Sequence, residues 1–416
     1  MRRVRVYDSS LGGDTFLKLR LNSPVGGWFP ALQDLLWCIT KHNLPHAELF
    51  LSPHLKKIRI FMAQAWRSSG VPRDLLPVIA STISTLSTSS LEQLLLDGTR
   101  HRRVSWAYFK ESFSSVVLRC GSSLTQFSSP VPLSDAAVDY LIHLPHLCTW
   151  HVEGPPPTYS TSQLPLVFPP LAKFTLGRDT ARGWLSLFER LEHGASATQG
   201  VTPLAKVKGS LKYLKVWDSN SPCPIVDASF ASTVRIFRNL VHLDVGIDCP
   251  YEYGEGQCTF KLNDGNVTEL ATALPRLVSL FLGRPCFKNS CATTLACLLP
   301  ISVRCRKLEK LEIHFNTTNI VDDINNILGG TRFEELRSLP KCTLSHLDVH
   351  GTPLALDKPG FENVASAMVG IFPSLEHCQG RDQPWIELSA AIRKCKPPKR
   401  VAGKCSLNFP LRLIHS

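Results

Sequence analysis

The chain lacks the short motifs by which many enzymes declare their chemistry. Its 416 residues contain no G-x-S-x-G, no Walker-type glycine loop and no H-E-x-x-H. The commonest patterns of serine hydrolases, nucleotide-binding proteins and zinc peptidases are thereby excluded. None of the 14 cysteines stands in a C-x-x-C pair, which removes the usual zinc and redox spacings. No window of about 18 apolar residues suggests a membrane span. The opening "MRRVRVYDSS" is basic but lacks the apolar stretch of about 7–15 residues that a secretory signal needs. These absences point to a cytoplasmic or nuclear chain with reduced thiols. No catalytic residue, cofactor, metal or membrane partner is expected.

What is present is a folded chain's composition, 44% hydrophobic and 19% charged, able to bury a large core. Cys38, Cys148, Cys297 and Cys378 lie inside apolar runs, where cysteine behaves as a small hydrophobe. The formal net charge is +12, and "IRKCKPPKRVAGK" near the C-terminus holds six of the positive charges without an acid. Residues 381–416 read as a solvated basic tail. A rival reading has this tail serve nuclear import or nucleic-acid association.

A pattern of Leu-x-x-apolar-x-apolar recurs: "LQDLLW" at 32, "LKKIRI" at 55, "LEQLLL" at 91, "LCTWHV" at 147, "LAKFTL" at 171, "LKYLKV" at 211, "LVHLDV" at 240, "LVSLFL" at 277, "LEKLEI" at 308 and "LSHLDV" at 344. Weaker copies, "LTQFSS" at 124 and "LEHCQG" at 375, fill out a spacing of about 23 to 40 residues. This spans the leucine-rich-repeat range and runs beyond it. A further match at Leu298 sits in a helical context. Five copies carry a proline just before the first leucine ("FPAL", "LPHL", "FPPL", "LPRL", "FPSL"), where a helix must stop and extended chain begins.

Between the copies, "DAAVDYLIHL", "TARGWLSLFERLEHG", "NVTELATAL", "SCATTLACLL" and "FENVASAMVGIF" space their apolar residues as helices do. The consensus asparagine a few residues after the strand is mostly replaced, as at Thr40 and Thr99. Each unit is a short strand plus a helix, and a single unit cannot bury its own apolar face. The expected fold is therefore α/β: an irregular leucine-rich-repeat-like solenoid over residues 28–380, parallel strands on the concave side and helices outside. Pro-, Gly- and Ser-rich stretches at 153–170, 218–227 and 248–258 read as rim loops.

Side chains alternate along a strand. If Leu347 and Val349 turn inward, His346, Asp348 and His350 turn outward. The same rule exposes Lys57, Arg59 and Phe61, then Tyr213, Lys215 and Trp217, then His242 and Asp244, then Phe281. It also exposes Lys310, Glu312 and His314, and finally His377. With parallel strands about 4.8 Å apart, these residues form columns on one surface. Aromatics mixed with charges are what a protein-binding surface uses as anchors. His346 with His377, and His314 with His350, become cross-strand neighbours. Such pairs suit metal binding or pH sensing, but no Asp or Cys completes a ligand set.

The stretch "WFPALQDLLWCITKHNLPHAELFLSPHLKKIRIFM", residues 28–62, carries a family likeness. Its F-P-x-L-x-x-L-x-W run, followed by L-F-L-S-P and a strand, resembles fungal F-box proteins with leucine-rich-repeat-like C-terminal regions. The resemblance implies the substrate-recognition region of a cullin-RING ubiquitin ligase subunit, whose F-box binds a Skp-type adaptor while the repeats present an unidentified protein target. No L-P-x-E-[IL] opening is present, so residues 1–27 read as a remnant following a missing F-box, and an adaptor is expected only if an F-box lies upstream. A stand-alone repeat scaffold without a ligase link is the alternative.

Overall fold

From the second strand onward, the repeated leucine fixes where each strand starts. The computed structural model describes residues 2–6, 13–24, 28–40, 42–50, 52–62, 75–84, 91–97, 106–154, 156, 168–177, 181–195, 204–218, 226–247, 261–283, 292–329, 341–349, 354, 356, 358–380 and 383–396. Thirteen strands run through them: β1 (Arg3–Val6), β2 (Asp34–Ile39), β3 (Lys57–Met62), β4 (Gln93–Asp97), β5 (Gln126–Ser128), β6 (Thr149–Val152), β7 (Lys173–Leu176), β8 (Tyr213–Asp218), β9 (His242–Ile247), β10 (Ser279–Leu282), β11 (Lys310–Ile313), β12 (His346–Asp348) and β13 (His377–Gln379). They pair in sequence order to give one open, 13-stranded sheet. Every pairing is parallel. Each copy of the motif, the two weak ones included, supplies one strand from β2 to β13, with its leading leucine two residues ahead of the strand.

The geometry of a junction repeats even though its sequence does not. The main-chain carbonyl just before one strand accepts two consecutive N–H groups from the next unit: Val241 O takes Val278 and Ser279, Val278 O takes Glu309 and Lys310, and Glu309 O takes Ser345 and His346. The relay starts at Arg2 O and ends at Ser345 O without a missing step. Ahead of it, a tight turn bonds the leucine N–H to a carbonyl three residues back, as in Leu147 to Leu144, Leu277 to Leu274 and Leu375 to Phe372. Pro145, Pro275 and Pro373 fall at the second position of these turns, where a φ already near −65° suits the bend. Backbone bonds thus join each unit to the next. One asparagine does appear after β2. Asn43 is buried and accepts from the Trp37 indole and the Thr40 N–H while donating to Cys38 O.

The helices cover one face of the sheet: α1 (Gly13–Leu21), α2 (Leu76–Ser84), α3 (Lys110–Arg119), α4 (Asp135–Ile142), α5 (Ala181–Ala195), α6 (Ala205–Ser210), α7 (Ala228–Val234), α8 (Asp264–Ala273), α9 (Leu298–Arg304), α10 (Ile320–Gly329), α11 (Lys358–Ile371) and α12 (Gln383–Cys395). Capping follows the expected chemistry: Ser134, Asp227 and Asn263 accept N–H bonds at the starts of α4, α7 and α8, the last in a reciprocal capping box. Between helices and sheet runs one core. The leading leucines (Leu55, Leu147, Leu211, Leu277 and their counterparts) are at most 1% exposed, each worth about 1.5–3 kcal/mol of burial. At mid-length, Trp150, Phe174, Trp184 and Phe188 pack with centroids 5.2–6.2 Å apart, and the Trp184 indole donates to Gly154 O.

Several boundaries differ from the sequence reading. The sheet starts before residue 28, because β1 pairs in register with β2 and the α1 residue Phe16 stacks on the His46 ring. The sheet ends with β13, but the packed core runs past 380: α12 buries Trp385, Leu388 and Ile392 and packs on α11 and β13. The helix read over "SCATTLACLL" begins late, as a 3-10 turn at Leu295–Cys297 leading into α9. Asp264 accepts both the N–H and the hydroxyl of Thr294 at 2.7 Å, which holds Thr294 extended as the N-cap. The match at Leu298 opens α9, so it is helical as expected. Of the rim stretches, 157–167, 219–225 and 248–260 lie outside the described residues, as does the tail from 397 onward. Cys38, Cys297 and Cys378 are buried and Cys148 is half-buried. Burial pushes the Cys305 and Cys378 thiols up to about 12, which keeps them as neutral S–H groups.

Candidate protein-binding face

The opposite face of the sheet carries the polar half of every strand in two registered rows. The first passes through Asp34, Lys57, Gln93, Gln126, Thr149, Lys173, Tyr213, His242, Ser279, Lys310, His346 and His377. The second, two residues along, holds Arg59, Ser128, His151, Lys215, Asp244, Phe281, Glu312 and Asp348 among others. Apart from His314 and His350, the expected residues share these rows, and a third position adds Phe61 and Trp217. Arg59, Lys310, His346 and His377 are exposed, while Lys57, Phe61, Tyr213, Lys215, Trp217, His242, Asp244, Phe281, Glu312 and Asp348 are half-buried.

His314 departs from the expectation. It is 5% exposed, because it follows the last residue of β11 and strand alternation no longer applies there. The chain turns instead toward Thr293, whose carbonyl accepts the Asn316 N–H. His350, and with it the expected His314 pairing, lies outside the described residues.

Contacts along the rows divide the face into sections. At β7–β10, the Lys173 ammonium sits 4.6 Å from the Tyr213 ring centroid, and that ring lies 5.8 Å from His242. His242 Nδ1 is 2.6 Å from Ser279 Oγ, and Lys215 reaches Asp244 at 2.6 Å. Burial, then the Asp244 charge, raise the Tyr213 pKa, with Lys215 opposing, so this phenol stays a neutral donor. Trp217 lies across its registered neighbour Gly246: a Cβ there would stand 3.3 Å from the indole. At β11–β13, the His346 and His377 rings stack at 4.7 Å beside Lys310, and Ser345 Oγ lies 2.8 Å from His346 Nδ1.

At β5–β6, residues the sequence reading passed over form a chain. Ser128 Oγ is 3.0 Å from His151 Nδ1, and His151 Nε2 is 3.6 Å from Glu153. These are the residue types of a nucleophile relay. Ser128, however, stands in mid-sheet between β4 and β6, where N–H groups serve strand pairing and not an oxyanion. Among the described residues no group of three or more His, Cys, Asp or Glu is placed to hold a metal ion, and no helix is long and apolar enough to cross a membrane.

Arg3 and Arg5 were also passed over, because β1 carries no leucine motif. Thr149, His151 and Lys173 were within reach of the alternation rule applied to "LCTWHV" and "LAKFTL". Compared with family models and with curated proteins, the chain matches none.

Proposed function

We propose that the chain is a non-catalytic protein-interaction module of leucine-rich-repeat type that recognises its partner through the open sheet face. In this reading it is the target-recognition region of an F-box-type subunit of a cullin-RING ubiquitin ligase, the assignment implied by residues 28–62. One observation carries the interaction reading: thirteen parallel strands present registered rows of aromatic and charged side chains on the face that the helices leave open. Such a face offers shape and side chains to a partner, not a reaction centre. Trp217 and Phe281 supply aromatic area at its centre, and Lys310, with His346 as its row neighbour, supplies charge beside it.

The double substitution Trp217→Ala/Phe281→Ala tests the face. Pull-downs from cell extract, quantified against the parent chain, should lose the specific partners at least about tenfold, since central aromatics dominate interface energies. Full retention by a variant whose circular dichroism and melting are unchanged removes the face from the reading. Co-purification with a Skp-type adaptor tests the ligase link separately, and its absence leaves a scaffold.

A further inference from the structure

The first four strands carry a charge imbalance that the rest of the face lacks. Arg3, Arg5, Lys57 and Arg59 line a pocket of about 230 Å³ on the open face, together with one carboxylate, Asp34. The register explains the crowding. Arg3, Asp34 and Lys57 are successive partners in one row, and Arg5, Leu36 and Arg59 in the next. Asp34 is engaged by Arg3, whose Nε donates to it at 2.6 Å. Among the described residues, the side chains of Arg5, Lys57 and Arg59 have no ion-pair or hydrogen-bond partner. Three cations lining one pocket repel one another, and the strand register keeps them on the same face.

We infer that this pocket is a subsite for an acidic protein segment. The inference rests on the interaction reading above and names the chemistry of the partner. Arg5 and Arg59 flank Leu36, and Leu95 follows Arg59 in the same row. Guanidinium groups pair with carboxylates in a planar, two-bond geometry, and the leucines between them accept an apolar side chain. A segment that alternates carboxylates with apolar residues therefore matches both features. A nucleic-acid strand matches less well, because its continuous phosphates would pass over the Asp34 carboxylate and two leucines.

The test uses the full chain and a fluorescent peptide, acetyl-Glu-Leu-Glu-Leu-Glu, followed by anisotropy. Saturable binding is expected that weakens as salt rises and falls at least about tenfold in Arg5→Glu/Arg59→Glu. The neutral variant Arg5→Gln/Arg59→Gln should fall between the two. Arg304→Gln, at the exposed end of α9 on the helical side, should bind this peptide as the parent does. A Lys-Leu analogue, a single-stranded oligonucleotide and inorganic phosphate complete the set. No saturable binding of the Glu-Leu peptide, or binding indifferent to the arginine substitutions in a folded variant, overturns the inference. So does tighter binding of the oligonucleotide, or displacement of the peptide by phosphate at equal concentration. If the peptide fails while partner capture still depends on Trp217 and Phe281, only this subsite is lost. If both fail, the interaction reading fails with it.

Discussion

Asp323, in the first turn of α10, shows how one residue's surroundings can oppose its ordinary preference. A helix N-terminus favours a carboxylate. Burial first, then the Asp264 charge, and lastly Asp322 raise its pKa, while the Leu295 N–H opposes. The folded state thus holds the Asp323 proton more tightly than the unfolded chain does. At neutral pH, with the group charged in both states, it costs stability. Asp323→Asn should therefore raise the melting temperature by on the order of 1 °C near neutrality. That gain should fade as pH falls through the raised folded pKa and vanish below the ordinary carboxylate range, where both states are protonated. A gain that persists in acid would place the effect outside electrostatics. At this same scale the sequence was informative wherever alternation held, as at His346 and His377, whose rings do stack. It failed at His314, where the strand had already ended, and at Arg3 and Arg5, whose strand has no leucine to mark it.

Elements are positioned by what closes each junction. At several junctions a proline two places before the leucine shapes the turn, and the leucine then fills the core. This explains why the strands were legible and the helices less so. Strand position depends on one local pattern that every unit must satisfy. Helix starts depend on caps such as Thr294, whose role needs Asp264 from the preceding unit. The last element depends on a glycine in the same way. A Cβ on Gly380 would lie 2.4 Å from the buried Trp385 ring, so α12 docks only because that atom is missing. Gly380→Ala should push Trp385 out and destabilise the docked helix by about 1–3 kcal/mol. Amide hydrogen exchange confined to residues 383–395 should accelerate accordingly, and exchange rates equal to the parent's would show that the ring has room to move.

Over the whole molecule, charge and packing follow the direction of the chain. Cations gather on the face at β1–β4, aromatics at β8–β10, and mixed charges with the histidine pair at β11–β13. A partner lying along the sheet would therefore meet different chemistry at its two ends, which fixes its orientation. The irregular spacing of 23 to 40 residues was readable from the leucines, and the sheet keeps it: the units differ in length while the strand pairing stays in step. β1 joins the sheet by register alone, without a motif of its own, so no leucine marks it in the sequence.

The carbonyl relay that links each unit to the next has a mechanical consequence. Every unit is fastened to its two neighbours and to little else, so a chain drawn apart by its ends in an optical trap should give way one coil at a time. Each rupture should release a length set by that coil alone, roughly 8 to 14 nm for the spacings present. The resulting uneven staircase would be a fingerprint of the order in which the coils are wound.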